Sequence, residues 1–249
     1  MENQKKIKQK FDRKIKILKM KDSSDKSTKK YPPHAFDTAF RLAITGNSGA
    51  GKTNMVSNLI LDPEKQFYRD VWKGEDIFIF SGSTKTDMKL KQMLMALDVP
   101  ESNVFSEYDD DIINLLYDEI EDRVQETKGK IEPSLFIFDD LSFDSAIRSK
   151  RNNALGRLFL NGRKNNISSI FIAQKYNQIP PAVRVNLTGL IIYRMPQSEL
   201  EAIALDHNFK AKKKDFFKMF DLIEEKHDAI IINYSNPHKQ LYLYNFEVI

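Results

Sequence analysis

The stretch GNSGAGKTN spaces Gly46, Gly51, Lys52 and Thr53 as G-x-x-x-x-G-K-[ST]. That spacing serves phosphate binding. Glycines let backbone N–H groups approach phosphate oxygens that a side chain would keep away, and the helix N-terminus that follows favours negative charge. Lys52 is placed to reach the β- and γ-phosphates, and the Thr53 hydroxyl to bind Mg2+. The candidate cradle is Gly46, Asn47, Ser48, Gly49, Ala50, Gly51, Lys52, Thr53 and Asn54. A cradle alone hydrolyses nothing, because the metal needs an acid at the end of a neighbouring strand. SLFIFDD ends in two: Asp139 to hold Mg2+ through water and Asp140 to polarise the attacking water, with Asp144 a second choice for the same work. Gln174 closes the run SSIFIAQ. An amide there can touch both the γ-phosphate and the water if its strand lies beside SLFIFDD, since ligands of such sheets sit at the carboxyl edge. Taken singly, an acid pair after an apolar strand marks a solvated loop and a glutamine there is a polar loop residue. The complete cradle upstream favours the catalytic reading.

These groups need a scaffold that gathers several strand ends. The apolar run from Phe40 to Thr45 enters the glycine loop, and Thr53 to Leu61 continues with helical spacing at Met55, Leu59 and Ile60, stopping near Pro63. DIFIFSGS, SLFIFDD, SSIFIAQ and LIIYRM read as further buried strands. Helices are expected over Asp87 to Leu97, Asp109 to Glu126, about Ser149 to Leu160, Glu199 to His207 and Lys212 to Glu225, with Pro180 and Pro181 in a loop. AIIINY and LYLYNFEVI around SNPHK predict a β-hairpin with a five-residue turn at Ser235 to Lys239. The alternation predicts an α/β fold: a mostly parallel sheet with helices on both faces and an antiparallel C-terminal hairpin.

The length of 249 residues suits one main domain. A composition of 41% hydrophobic and 30% charged residues fits a globular chain rather than a disordered or membrane one, and no run approaches the ~18 apolar residues of a spanning helix. The basic N-terminus lacks the apolar core of a secretory signal. With no cysteine, disulfides and thiolate metal sites are excluded, and a reducing compartment is compatible. The net charge of +4 hides an asymmetry: residues 1–35 hold 12 Lys+Arg against 4 Asp+Glu, leaving 27 basic and 31 acidic groups elsewhere. The chain is therefore expected to divide into a basic arm and linker at 1–35 and an ATPase domain at 36–249. In the arm, Ile7, Phe11, Ile15 and Leu18 recur at helical spacing between lysines. Such a helix suits DNA, a partner groove, an anionic membrane surface, or simple docking on the protein's own body.

Together, GNSGAGKTN, LFIFDDL, NGRKNNISSIFIAQ and IPPAVRVN, in this order, resemble the poxvirus-type genome-packaging ATPases of large DNA viruses and virophages, a branch of the FtsK/HerA superfamily of DNA-pumping motors. The similarity covers roughly Phe36 to His207. Its specificity lies in GRKNNISSIFIAQ leading into PPAVRVN rather than in the widespread glycine loop. The resemblance implies a RecA/FtsK-HerA-like P-loop NTPase that binds ATP and Mg2+ and assembles as a homo-oligomeric ring, pentamer or hexamer. It implies that this ring drives double-stranded DNA into a preformed capsid against a capsid or portal protein. The implied location is the host cytoplasm or viral factory, with association with the virion a further option. Lys52 and Thr53 then match the phosphate and Mg2+ positions, Asp139 the metal acid, Asp140 the catalytic acid and Gln174 the sensor. The wider superfamily commonly has glutamate where this chain has Asp140; the viral branch often carries the shorter aspartate, so either a water bridges the gap or the strand sits closer to the nucleotide. An arginine finger from the next subunit is implied as well: Arg184 in AVRVN first, Arg163 in NGRKNN second, Arg194 third. Cellular translocases carry an arginine soon after the position of Asn186, where this chain reads LTGLIIYR and has Gly189.

Where DNA would touch is left open between Arg148, Lys150 and Arg151, on a loop that could face a ring's pore, and the lysines of KAKKKDFFK, whose Phe216, Phe217 and Phe220 at helical spacing read first as core contacts. Two other functions share the cradle. One is a helicase or helicase loader, for which little chain remains after one core. The other is a nucleotide-switched binding or scaffold protein. A GTPase is disfavoured by the absence of an N-K-x-D base-recognition motif.

Overall fold

The computed structural model describes residues 31–64, 67–84, 86–127, 132–141 and 154–249. The basic segment of the arm, Asp144, Arg148, Lys150 and Arg151 lie outside these residues.

Strands β1 (Arg41–Thr45), β2 (Ile77–Ser81), β3 (Val104–Phe105), β4 (Ser134–Asp139), β5 (Ile167–Ala173) and β6 (Gly189–Tyr193) run parallel; β7 (Ala229–Asn233), β8 (Tyr242–Tyr244) and β9 (Glu247–Val248) extend the sheet antiparallel. The order is β3-β2-β4-β5-β1-β6-β7-β8-β9. The helices are α1 (Lys52–Leu61), α2 (Met88–Ala96), α3 (Asp110–Glu126), α4 (Ala154–Asn161), the one-turn α5 (Pro181–Arg184), α6 (Gln197–His207) and α7 (Lys213–Lys218). Two of them start where an aspartate can cap: Asp87 accepts the N–H groups of Lys89 and Leu90, and Asp109 those of Asp111 and Ile112.

The continuous apolar runs bury both sheet faces, and the two-residue period sorts their side chains. Phe78, Phe80, Phe136, Phe138 and Phe171 point to one face, with α3 and α4. Ile77, Ile79, Ile137, Ile170 and Ile172 point to the other, with α1, α2 and the rings of Phe36, Phe40, Tyr68 and Trp72. On the first face the rings form a cross-strand ladder, with Phe80 and Phe138 centroids 5.2 Å apart and Phe138 and Phe171 6.2 Å apart. Phe216 is fully buried there, and Phe217 and Phe220 pack against the same cluster, so the core reading of these three holds.

Some boundaries differ from expectation. β3 is too short to leave a periodic signal. The helix expected to run to Glu225 ends at Lys218 and tightens into a 3-10 turn at Met219–Leu222; beyond it the Asp228 carboxylate takes the N–H groups of Glu224 and Glu225, which holds that part of the chain out of a helix. The connection from β7 to β8 runs past the expected five residues through a 3-10 turn at His238–Gln240. After β8, Asn245 and Phe246 both have positive φ (48° and 70°) and reverse the chain into β9, the conformation of a primed hairpin turn.

The loop that follows β5 is held by a buried polar chain. Tyr176, fully buried, donates its hydroxyl to Asp206 Oδ2 at 2.7 Å and lies 2.7 Å from His207 Nε2; His207 Nδ1 is 2.6 Å from the Tyr234 hydroxyl. With the Tyr176 proton on Asp206, the consistent assignment is a neutral imidazole that donates from Nε2 and accepts at Nδ1. Burial pushes His207 down to about 4, with the Arg184 charge acting in the same direction and Asp206 opposing. Between pH ~6.5 and that value the unfolded chain binds a proton that the folded chain refuses, so stability falls as pH drops through the window, by on the order of 3 kcal/mol. The buried Asp139 carboxyl, raised to about 6, acts with the opposite sign in the same window, so the His207 share is read as a difference: in denaturant melts from pH 7.5 to 4.5 the wild type should lose stability relative to His207→Gln as pH falls. Identical slopes for the two proteins would remove His207 from the account.

Candidate active site

Three parallel strands end in one line. Thr45 of β1 pairs with Ala173 of β5, and Asp139 of β4 pairs with Ile172 of β5. Because β5 lies between β1 and β4, Gln174 emerges between the glycine loop and the two acids, which meets the condition that the spacing set for it.

The glycine loop needs its glycines for both conformation and room. Gly51, the N-cap of α1, has φ 109°, and a Cβ there would stand 2.8 Å from His227 Nδ1. Lys52 Nζ donates to the carbonyls of Gly46 at 2.8 Å and Asn47 at 3.1 Å, which holds the ammonium over the loop. Burial lowers the Lys52 pKa, and the charges of Asp139 and Asp140 push it back up.

Asp139 is 7% exposed. Burial raises its carboxyl to about 6, reinforced by Asp140 and Asp87 and opposed by Lys52. A buried carboxyl among other acids, across from the Thr53 side chain in the same cavity, is a donor set that suits a hard divalent cation, which is bound through few protein groups together with phosphates and water. Asp140 leaves β4 with φ 54°, an uncommon backbone for a residue with a side chain. In that pose its Oδ1 accepts a long hydrogen bond, 3.4 Å, from Gln174 Nε2. The cavity at this edge measures about 680 Å3 and is lined by Lys52, Thr53, Asp139, Asp140 and Gln174, so the structure brings the sequence-derived groups together.

The same cavity is also lined by Asp87, Lys226 and His227. In the sequence Asp87 was only the first residue of an expected helix. Lys226 and His227 left no local signal, because they reach the loop from the turn before β7, 177 residues beyond Ala50.

The arginines stand elsewhere in the chain. Arg163 sits in the 3-10 turn Gly162–Asn165 just before β5, at the edge of the parallel strands opposite the cradle; its charge, after burial, lowers the pKa of Arg41 at the start of β1. Arg184, at the end of α5, pairs with Asp206 at 3.2 Å and lies 5.1 Å over the Tyr176 ring. Arg194 lines a separate cavity with Lys214 and Lys218. At Gly189 a Cβ would collide with the Phe36 ring, so the arginine that cellular translocases place there has no room in this chain.

A family model described as Poxvirus A32 protein matches residues 33–240. The DNA packaging protein OPG160 of Variola virus is 30% identical over 190 residues, covering 74% of this chain; the chain spans 64% of the length of that relative. Among solved structures, the genome packaging NTPase B204 from Sulfolobus turreted icosahedral virus 2 in complex with AMPPCP superposes with a TM-score of 0.54 at 12% identity, over 82% of this chain and 96% of that one. ATPases 2 and 3 of EssC from Geobacillus thermodenitrificans give 0.52 at 18% identity, over 78% of this chain and 37% of that one. The fold shared with these structures is the mostly parallel P-loop sheet.

The geometry separates two roles by mutation. Lys52→Ala removes the ammonium held over the glycine loop and should abolish turnover by weakening nucleotide binding. Asp140→Asn keeps the side-chain volume and should leave binding near wild type while lowering hydrolysis at least about 100-fold, the lower range for a positioned proton acceptor. Equilibrium binding and steady-state turnover on the same preparations test this; wild-type turnover by Asp140→Asn would take the proton acceptor away from that residue.

Proposed function

The chain belongs to the Poxvirus A32 protein family, and on that premise we propose that it is an ATP-hydrolysing motor that moves double-stranded DNA into a preformed capsid. The Variola relative is a DNA packaging protein and B204 is a genome packaging NTPase, and both support the reading. The observation that carries it is the meeting of three strand ends, where Gln174 Nε2 touches Asp140 Oδ1 at 3.4 Å in the cavity that also holds Lys52 and Thr53.

The residues then work as follows. The loop Gly46 to Asn54 and Lys52 bind and orient the triphosphate of ATP. Thr53 and Asp139 would hold Mg2+, which when bound would supply charge neutralisation. Asp140 accepts the proton of a water as its oxygen bonds to the γ-phosphorus, and the bond from that phosphorus to the bridging oxygen of ADP breaks, giving ADP and phosphate. Gln174 holds the water and the γ-phosphate, so loss of the phosphate releases its amide.

The loop behind Gln174 carries Tyr176, whose ring lies under the Arg184 guanidinium and whose hydroxyl shares Asp206 with it. Phosphate loss at Gln174 is thus transmitted to Arg184, which we rank first as the finger inserted into the neighbouring subunit of a pentameric or hexameric ring, ahead of Arg163. Residues 36–249 form the ATPase domain in this reading, and the basic arm of residues 1–35 engages the DNA or the capsid or portal partner. Among the described residues no helix is long and apolar enough to cross a membrane, and the working place proposed is the host cytoplasm or viral factory, with or without association with the virion.

Turnover per subunit should rise with protein concentration and rise again with double-stranded DNA, because a finger acting in trans requires assembly. Mixing inactive Lys52→Ala with inactive Arg184→Ala subunits should recover part of the activity, since an intact cradle then meets an intact finger. A rate independent of both concentration and DNA would sink the motor reading, and no recovery at any mixing ratio would remove Arg184 from the role in trans.

A further inference from the structure

A charged side chain from a distant part of the chain faces the glycine loop. β7 is entered through the turn 224–228, and this turn is firmly built. Asp228, 9% exposed, accepts the N–H groups of Glu224 at 3.2 Å and Glu225 at 2.8 Å through Oδ2, and the Asn245 amide at 3.0 Å through Oδ1. His227 ties the turn to the glycine loop: its Nδ1 lies 2.8 Å from the Ala50 carbonyl oxygen, which can only accept, so Nδ1 carries the proton. These contacts place Lys226 beside Gly49, where a Cβ would lie 3.9 Å from the Lys226 Nζ. Lys226 lines the same cavity as Lys52, Thr53 and Asp140, and its side chain is exposed to it.

Two ammonium groups therefore face one loop of backbone donors. An ammonium is a compact point charge that binds phosphate oxygens without demanding a fixed fork geometry, so a flexible lysine on a rigid turn suits a polyphosphate. The turn is rigid where it needs to be, at Asp228 and His227, and free at the Lys226 head.

We propose that Lys226 is a second phosphate-contacting lysine of this site, contributed within the same chain by the turn before β7. The inference rests on the reading of the glycine loop as a nucleotide cradle, and the test separates the two. The full chain is titrated with a fluorescent ATP analogue in the presence of Mg2+, as wild type, Lys226→Ala, Lys226→Arg and Lys52→Ala. Because Lys226 is exposed, Lys226→Ala should melt at the wild-type temperature. It should bind the analogue about tenfold more weakly, equivalent to about 1.4 kcal/mol, and Lys226→Arg, which keeps the charge, should recover to within about threefold of wild type. Wild-type affinity in Lys226→Ala, with binding lost in Lys52→Ala, would overturn the role of Lys226 and leave the cradle standing. No binding by the wild-type chain would overturn both.

Discussion

Everything at the site depends on the pairing of β5 with both β1 and β4. A parallel ladder fixes which residues stand side by side, and here it sets Thr45 against Ala173 and Ile172 against Asp139. The residues that follow these positions leave the sheet at the same height, so the glycine loop, Gln174 and Asp140 converge although they are far apart in sequence. A one-residue slip of β5 would turn its buried set, Ile170 and Ile172 on one face and Phe171 on the other, onto the wrong helices. The packing that stabilises the sheet is therefore also what holds the geometry of the candidate site.

The second constraint is charge. Asp139, Asp140 and Asp87 crowd one end of the cavity, with Asp139 buried and its carboxyl held near a pKa of 6, and Lys52 is the opposing charge bent over the loop. An apolar sheet edge that buries an acid in this way is costly unless a cation shares the site. That cost is the physical reason for the proposal of Mg2+ at Thr53 and Asp139. Behind this edge, Tyr176, Asp206, His207 and Tyr234 form a satisfied polar chain that anchors the loop after Gln174.

Much of this was legible in the sequence, for identifiable reasons. The glycine spacing, the acid pair after SLFIFDD and the glutamine after SSIFIAQ each mark a strand end by a sharp change from apolar to polar, and α/β alternation fixes the edge at which such ends collect. The core role of Phe216, Phe217 and Phe220 followed from helical spacing. What stayed hidden depends on tertiary contacts. Lys226 and His227 sit in a turn whose shape comes from Asp228 and Asn245, and no local pattern links them to Ala50. That the chain is not helical at Glu224 and Glu225 has the same origin, since their amides are taken by the Asp228 carboxylate. The reversal at Asn245 and Phe246 was masked because phenylalanine is an unusual turn residue, whereas the asparagine alone was a fair signal.

The proposed function places the terminal phosphate of a nucleotide where the ends of β1, β5 and β4 meet. An experimental structure with Mg2+ and a non-hydrolysable ATP analogue tests it most directly. The account predicts the γ-phosphate between Lys52 and Gln174, the metal at Thr53 and Asp139, and a water within reach of Asp140. A nucleotide bound with its γ-phosphate away from Gln174 and Asp140, or outside this cavity, would contradict it.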